Sequence, residues 1–320
     1  MTTDTEARPA ASDADRPGRI DAVPVRHPGR WVAIAVIAVL FAMLVHLLVT
    51  NKAFDWSFVF QAMSQQPVIN GFIKGTLLVT VLSMIVGVVG GVILAVMRLS
   101  DNPILAGVAW VFTWFFRSIP RYILLFTMGT LGILFQQGVS FGVPFDWKII
   151  EWLGLSGDWR FYTLDANEIF TGLVAGVIGL GLSEAAYMAE IARAGILSVD
   201  KGQAEAAEAL GMSGGKVMRR VVLPQAMRVI VPPTGNETIA MLKDTSLLLA
   251  VPVLGELFYQ LQSIGSTYYK TFPIAVAATL YYLAATSVLM VGQYFLERHF
   301  GRGFGNKAPR ATRPAGAGGV

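Results

Sequence analysis

The sequence predicts an all-α integral membrane protein with about six transmembrane helices, and three observations lead to this prediction. Hydrophobic residues make up 54% of the 320 residues, charged residues make up only 14%, and the mean hydropathy is +0.57. A soluble domain carries about 25% charged residues. Because a soluble surface needs polar groups, the deficit indicates a surface that faces lipid. Long apolar stretches, and basic residues that flank them, are the other two observations.

The first apolar stretch runs from Trp31 to Thr50 and contains no charged residue. An α-helix rises about 1.5 Å per residue, so twenty residues cross the roughly 30 Å apolar core of a bilayer. A signal peptide lies nearer the start of a chain and has a shorter apolar part. We therefore expect an extra transmembrane helix at 31–50, preceded by a disordered cytoplasmic tail at 1–30.

The remaining apolar stretches predict the core domain, at residues 70–298, and a second disordered tail at 303–320. Spans are expected at about 73–97, 104–135, 169–191, within 229–262 and at 272–295. The second of these is too long for one span and contains Arg117, Pro120 and Arg121, so we expect it to be broken. Residues 137–168 are rich in Trp and Tyr, which favour the membrane interface, and predict an external surface loop.

The distribution of positive charge predicts the orientation of the chain. Sixteen of the 25 lysines and arginines lie in three places: the N-terminal tail, residues 193–228 and the C-terminal end. The loops expected outside hold only Lys52, Lys148, Arg160 and Lys270. By the positive-inside rule, both termini and the 193–228 loop are cytoplasmic. Since the basic residues flank apolar spans, they do not indicate nucleic-acid binding.

A polar segment at 198–224 predicts a helix outside the membrane. Every residue from 203 to 210 is a good helix former. Ser198 or Asp200 can cap the start of this helix, and Gly211 can end it.

The same segment predicts a second short helix and a small-sided surface. Ser213 can cap the second helix, which we expect Pro224 to stop. The first helix carries small side chains that allow another protein to approach closely: Ala204, Ala206, Ala207 and Ala209.

The spacing within this segment resembles the EAA signature of ABC importer permeases. The residues that carry the resemblance are Glu205, Ala206, Ala207, Gly211, Leu223 and Pro224. Flanking sequences at 186–191, 202–205, 223–226 and 243–247, together with Asn236, resemble the polar amino acid uptake branch of that family. The resemblance covers about residues 70–298.

The resemblance implies a fold, partners and a role for the loop. The last five helices would form a type I importer permease core, and the loop would be a cytoplasmic coupling helix. The implied partners are an ATP-binding subunit dimer, an extracytoplasmic solute-binding protein, a second permease copy or a sister permease, membrane lipid and an amino acid substrate. Glu205, Ala206 and Ala207 would transmit force, Gly211 would set the turn, and Leu223 and Pro224 would anchor the loop. The protein would be a multi-pass component of the bacterial cytoplasmic (inner) membrane, working by alternating access.

Four charged residues are candidates for the substrate path: Arg117, Glu237, Lys243 and Asp244. Charges at membrane depth are costly, so they either pair or line a cavity. Both alternatives stay open. Residues 116–120 occupy the place of the usual Arg-Gly-Thr-Pro sequence of the branch. Arg117 could attract a carboxylate or extend to lipid headgroups.

The sequence offers no catalytic residue, metal site or cofactor motif. It contains no cysteine, and its three histidines are widely separated. The pair Gly215-Lys216 lacks the earlier glycine of a phosphate-binding loop, and Val217 replaces its Ser or Thr. We therefore expect no enzyme activity and a separate chain for ATP hydrolysis.

An ion-coupled secondary transporter is the alternative function. Such a protein needs acidic or discontinuous sites near the bilayer midplane. Asp244 and Glu237 are the residues that could form one. A membrane enzyme is the third alternative, and it lacks any paired catalytic residues.

Overall fold

The computed structural model describes residues 28–135, 138–165, 172–251 and 253–301. Apart from residues 28–30, the predicted disordered tails lie outside these ranges. The chain divides into two compact units, residues 1–52 and residues 53–320.

The first unit contains one described long helix, α1, at Pro28–Thr50. Its 23 residues make it about 35 Å long. None of its side chains is buried, and it is apolar on all sides. A helix that is hydrophobic all round and long enough to cross a bilayer is typical of a membrane span.

The second unit begins with four helices. They are α2 (Trp56–Met63), α3 (Gln66–Arg98), α4 (Pro103–Ser118) and α5 (Arg121–Leu134). A π-helical segment, Gly71–Leu77, lies within α3.

A small mixed module comes next, and then the remaining helices. The module consists of β1 (Val139–Gly142), α6 (Asp146–Leu153) and β2 (Arg160–Leu164). The later helices are α7 (Gly172–Leu197), α8 (Lys201–Ala209), α9 (Gly214–Val217), α10 (Leu223–Asp244), α11 (Leu257–Tyr268) and α12 (Thr271–Phe300). A π-helical segment, Met218–Val222, precedes α10, and a 3-10 helix, Thr245–Ala250, follows it.

Four helices of the described chain are long and apolar enough to cross a membrane: α1, α3, α7 and α12. The pair α4 and α5 also qualifies as one broken span, bent by 102°. The predicted break is therefore confirmed. Pro120 causes it, because a proline disfavours helical dihedrals in the residue before it, and Ile119 is extended at φ −93° and ψ 129°.

The span predicted within 229–262 is not among these apolar helices. The helix that occupies part of this region, α10, has 22 residues and is about 33 Å long, which is sufficient to cross a bilayer. It carries two internal prolines, Pro232 and Pro233, and three charged residues near its end. The total of six spans therefore remains a prediction.

The second unit is built around the contact between α3 and α7. A Cβ atom added at Gly87 would lie 2.5 Å from Glu184 Cγ, and one added at Gly91 would lie 2.3 Å from Met188 Cβ. The helices approach this closely because small residues leave space between their backbones. Gly87 and Gly91, one helical turn apart on α3, thus lie at the closest contacts between the two helices.

The 138–165 module is the exception to the all-α prediction in the described chain. Strands β1 and β2 pair antiparallel, with Val139 opposite Leu164. Asp146 links α6 to the hairpin, because its carboxylate accepts hydrogen bonds from the backbone N–H groups of Trp147 at 2.8 Å and Trp159 at 3.3 Å. The expected position of this module on the external membrane surface stays a prediction.

Candidate functional site: a charged cluster and the loop beneath it

The loop after α7 forms its predicted first helix, α8. Asp200 caps the start, with its side chain accepting a hydrogen bond from the backbone N–H of Gly202 at 2.7 Å. Ser198 instead donates to the carbonyl of Gly195 and is not the cap. Gly211 ends the helix with φ +81°, a conformation that favours glycine.

The second half of the loop differs from the prediction in one respect. Helix α9 begins after Ser213 as predicted, although the serine side chain makes no capping hydrogen bond. Pro224 does not stop a helix there. It lies where the π-helical segment Met218–Val222 passes directly into α10, and Val222 has helical dihedrals of φ −74° and ψ −55°, so the helical backbone continues through the proline. The expectation of a stop was therefore wrong.

The loop has a small core of its own. Ala207, Val217 and Val222 are buried there, with Met212 and Val199 packed against them. Ala207 therefore faces the inside of the loop, so its assignment to an outward alanine surface was wrong.

The outward surface of the loop consists of the exposed residues of α8 and the turn after it. They are Lys201, Gly202, Gln203, Glu205, Ala206, Glu208, Ala209, Leu210 and Gly211. Leu210 is 86% exposed, which makes it an apolar side chain projecting from a polar loop. Leu210 is thus the most exposed large apolar residue of a loop that is packed internally.

Farther along α7 and α10, a charged cluster surrounds Arg121 at the start of α5. The Arg121 Nη2 atom lies 2.8 Å from Glu184 Oε2 on α7 and 3.8 Å from Glu237 Oε2 on α10. Its Nη1 atom donates to Asp244 at the end of α10. One guanidinium group therefore joins three helices through three carboxylates.

Burial within the cluster is uneven. Glu184 is fully buried, and its Oε1 atom has no hydrogen-bond partner within the described ranges. The side chains of Glu237 and Asp244 are 27% and 29% exposed. Gly87 makes the burial of Glu184 possible, because any side chain at that position would collide with it. The cluster therefore has a buried base and a more accessible rim.

An aromatic ring completes the site. Tyr187 lies three residues after Glu184 on α7, and thus on the same side of the helix. Its ring centroid is 4.9 Å from Arg121 Cζ and 5.5 Å from Arg117 Cζ. Both distances fall within the range of cation–π interactions. Tyr187 therefore connects exposed Arg117 with the cluster.

The structure brings together two of the four candidate substrate-path residues, Glu237 and Asp244, at Arg121, and places Arg117 against the ring of Tyr187. Lys243 is exposed and forms no ion pair with any other described residue. The four candidates do not include Arg121, Glu184 and Tyr187. Glu184 could have been found as a carboxylate in the middle of an apolar span, and Arg121 as a charge at the break after Pro120.

A separate ion pair lies near the other end of α7. Glu190 and Arg193 pair at 2.8 Å, as their spacing predicts, and Arg98 lies 3.7 Å from Glu190. Within the described ranges, no group of His, Asp or Glu side chains is arranged to hold a metal ion.

Residues 87–302 match the model of a protein family described as the binding-protein-dependent transport system inner membrane component. The chain belongs to this family. The match includes the α7–α10 loop and every member of the charged cluster. It confirms the family that the EAA-like spacing indicates.

The sequence similarity to individual relatives extends over most of this permease. It is 44% identical to the arginine transport system permease protein ArgU of Corynebacterium glutamicum, over 94% of this chain and 89% of that protein. It is 32% identical to the probable amino-acid permease protein YxeN of Bacillus subtilis, over 76% of this chain and 95% of that protein.

Solved structures show the same fold. A structure described as an amino acid ABC transporter with histidines matches with a TM-score of 0.54 and 30% identity, covering 73% of this chain and 94% of that chain. An inward-facing methionine transporter, MetNI, matches at a TM-score of 0.51 and 21% identity, covering 74% of this chain and 99% of that chain.

Proposed function

We propose that this permease is the membrane subunit of an ATP-driven importer that carries a polar amino acid into the cell. The observation that carries the proposal is that the 198–224 loop directly connects α7 to α10, the two helices that supply the three carboxylates of the cluster. A force applied to the loop would therefore act on both sides of the cluster. The family description and the names of the relatives support a binding-protein-dependent amino acid importer.

The loop is suited to transmit force because it is internally packed. Ala207, Val217 and Val222 form its core, so the loop moves as a unit when its outer surface is pushed. Leu210 and its exposed neighbours would dock on an ATP-binding subunit. Two permease copies, or this permease and a sister, would each receive one subunit of an ATPase dimer.

The proposed mechanism is alternating access. Closure of the ATPase dimer on ATP would draw the two loops together and tilt the attached helices, opening the cluster to the outside. A solute-binding protein would then release its amino acid near Glu237 and Asp244, the more accessible carboxylates. Hydrolysis would return the helices to the inward-open state. Both termini and the loop would be cytoplasmic, as the charge distribution indicates.

The contact between loop and ATPase can be tested with single cysteines, because the chain has none of its own. We would replace exposed Ala206 in one variant and buried Ala207 in a second, and label inside-out vesicles with a membrane-impermeant maleimide. The proposal predicts rapid labelling of A206C, slow labelling of A207C, and protection of A206C when the ATP-binding subunit is added.

Labelling of A206C only in right-side-out vesicles would contradict the cytoplasmic position of the loop. Unchanged labelling with the ATPase bound would contradict docking at α8. An ion-coupled secondary transporter would show no protection, and its uptake would follow an ion gradient rather than ATP.

A further inference from the structure

The charged cluster contains more negative than positive charge. Among the described residues, Arg121 is the only cation within 4.0 Å of the carboxylates of Glu184, Glu237 and Asp244. Excess charge at membrane depth is costly unless another ion compensates it. The cluster therefore favours a second positive group.

Two carboxylates of the cluster have acceptor capacity that Arg121 does not use. The buried Oε1 atom of Glu184 has no donor within the described part of the chain. Glu237 lies 3.8 Å from Arg121, too far for a good hydrogen bond, and accepts none from the other described residues. An acceptor without a donor gains free energy from a ligand that donates to it. Glu237, whose side chain is 27% exposed, is the one of the two that an arriving ligand can reach, whereas Glu184 stays buried against Gly87 and Arg121.

The surroundings of Arg121 are those that a free guanidinium or ammonium group would require. The carboxylates of Glu184 and Asp244 accept its N–H groups, and the carboxylate of Glu237 lies 3.8 Å away. The face of Tyr187 lies 4.9 Å from its central carbon. Carboxylates combined with an aromatic face recognise organic cations through charge-assisted hydrogen bonds and cation–π attraction.

We propose that Arg121 is a built-in substitute for substrate. In the empty permease its guanidinium occupies the binding place of a cationic amino acid side chain, and the arriving cation takes Glu237 and Asp244 from it. Arg121 keeps its contact with the buried Glu184 and stays folded against Tyr187. This inference rests on the proposed import function and adds the substrate class, an amino acid with a guanidinium or ammonium side chain.

The displacement of Arg121 by substrate explains how a permease can expose carboxylates without binding its substrate too tightly to release it. In the empty state Arg121 compensates the rim carboxylates, which limits the cost of their charge. When a cation binds, it gains these contacts but must displace Arg121. Its net affinity is therefore lower than the carboxylates alone would provide, which favours release on the inner side.

The test compares L-arginine with L-citrulline, which has nearly the same shape but no side-chain charge. Equilibrium binding of both radiolabelled ligands would be measured on the permease–ATPase complex in nanodiscs, without the solute-binding protein. The inference predicts that the wild-type complex prefers arginine by about tenfold or more, since charge-assisted hydrogen bonds are worth at least that factor.

Substitutions of the rim carboxylates and of Arg121 should change the affinity for arginine in opposite directions. Glu237→Gln and Asp244→Asn should each lower arginine affinity by about tenfold and leave citrulline affinity unchanged. Arg121→Leu should raise arginine affinity by a similar factor because the competing cation is gone. Lys148→Met removes an exposed cation of α6 that is not part of the cluster, and it should change the affinity for neither ligand.

Arg121→Leu leaves a buried carboxylate unpaired and could fail to fold. The double variant Arg121→Leu/Glu184→Leu removes both members of the buried pair and should fold and show the same gain for arginine. The inference is overturned if the folded Arg121 variants bind arginine more weakly, because Arg121 would then contact the substrate itself. It is also overturned if the wild-type complex binds arginine and citrulline equally.

The inference and the proposed function fail in different ways. ATP-dependent import of any amino acid by the wild-type complex, combined with equal binding of the two ligands, would keep the function and overturn the inference. The predicted order of affinities without ATP-dependent import would support a cationic site and overturn the importer.

Discussion

Single residues determine where charge can be placed in this apolar fold. Glu184 sits at the contact between α3 and α7, a place that usually excludes a carboxylate. It fits because Gly87 has no side chain and because Arg121 reaches it from the other side at 2.8 Å. Gly87 provides the space and Arg121 the compensating charge, and together they allow the carboxylate of Glu184 to be buried.

The same close approach makes Gly91 sensitive to substitution. In Gly91→Ala the new methyl group would lie 2.3 Å from Met188 Cβ and 2.9 Å from the backbone nitrogen of Ala189, which cannot move aside easily. We expect a loss of about 1–3 kcal/mol in stability, typical of overpacking. Gly107→Ala is the matched control, because nothing lies within 4 Å of its new atom. Thermal midpoints from size-exclusion chromatography in detergent would measure both, and equal midpoints would contradict the packing described here.

An ion pair outside the membrane-spanning segments predicts a pH dependence. Lys270, before α12, donates to Asp55 at 2.6 Å and, together with a hydrogen bond from Ser57, holds the pKa of that carboxyl below its usual value of 3.8. Because the folded pKa is depressed, the pair stabilises the protein above the unfolded value and loses this contribution as the pH falls through the folded value.

Asp55→Asn should therefore lower the thermal midpoint at pH 7 and have a diminishing effect at pH values below about 3.8. Melting curves of the variant and the wild type across this range would provide the measurement. A difference in thermal midpoint between the two proteins that stays constant down to about pH 2 would contradict a stabilising role for the ionised Asp55–Lys270 pair.

At the scale of elements, the local sequence was sufficient to predict a helix or a break wherever interactions between neighbouring residues determine it. Helix propensity and Gly211 predicted α8, and Pro120 predicted the break between α4 and α5, because each depends on neighbouring residues. Pro224 was misread because a proline was expected to end the helix before it, whereas the backbone forms the π-helical segment Met218–Val222 and continues as a helix through the proline.

Non-local contacts could not be predicted in the same way. Arg121 meets Glu184 across 63 positions and Asp244 across 123, and no periodicity in the sequence records such pairing. The β1–β2 hairpin was missed for a related reason. Its strands are separated by α6, and its short segments carry no clear alternation of polar and apolar residues.

The loop elements predict two different outcomes for substitutions three residues apart. Ala207→Trp would place a large ring in the core of the loop, so we expect it to disturb the loop and thereby abolish ATPase binding. Leu210→Glu changes an 86% exposed side chain, so we expect an unchanged thermal midpoint and weaker ATPase binding. Pull-down of the ATPase with parallel melting curves would separate these effects. Full ATPase binding by Leu210→Glu would contradict docking at this residue.

At the scale of the whole molecule, composition and charge distribution predicted the membrane class, and the family match confirmed the permease. The number of spans was harder to predict, because α10 combines sufficient length with prolines and charges. Two of its acidic residues, Glu237 and Asp244, face Arg121 in the charged cluster instead of lipid. A helix that lines such a site does not show the apolar composition by which spans are counted.

The central claim is that the permease moves an amino acid only when a separate ATPase acts on its loop. The most direct measurement is uptake of radiolabelled L-arginine into proteoliposomes that contain the permease alone, or the permease with its ATP-binding subunit, its solute-binding protein and ATP. We predict uptake only in the complete system, and its loss when Leu210→Glu prevents docking. Uptake by the permease alone, driven by an ion gradient, would contradict the account.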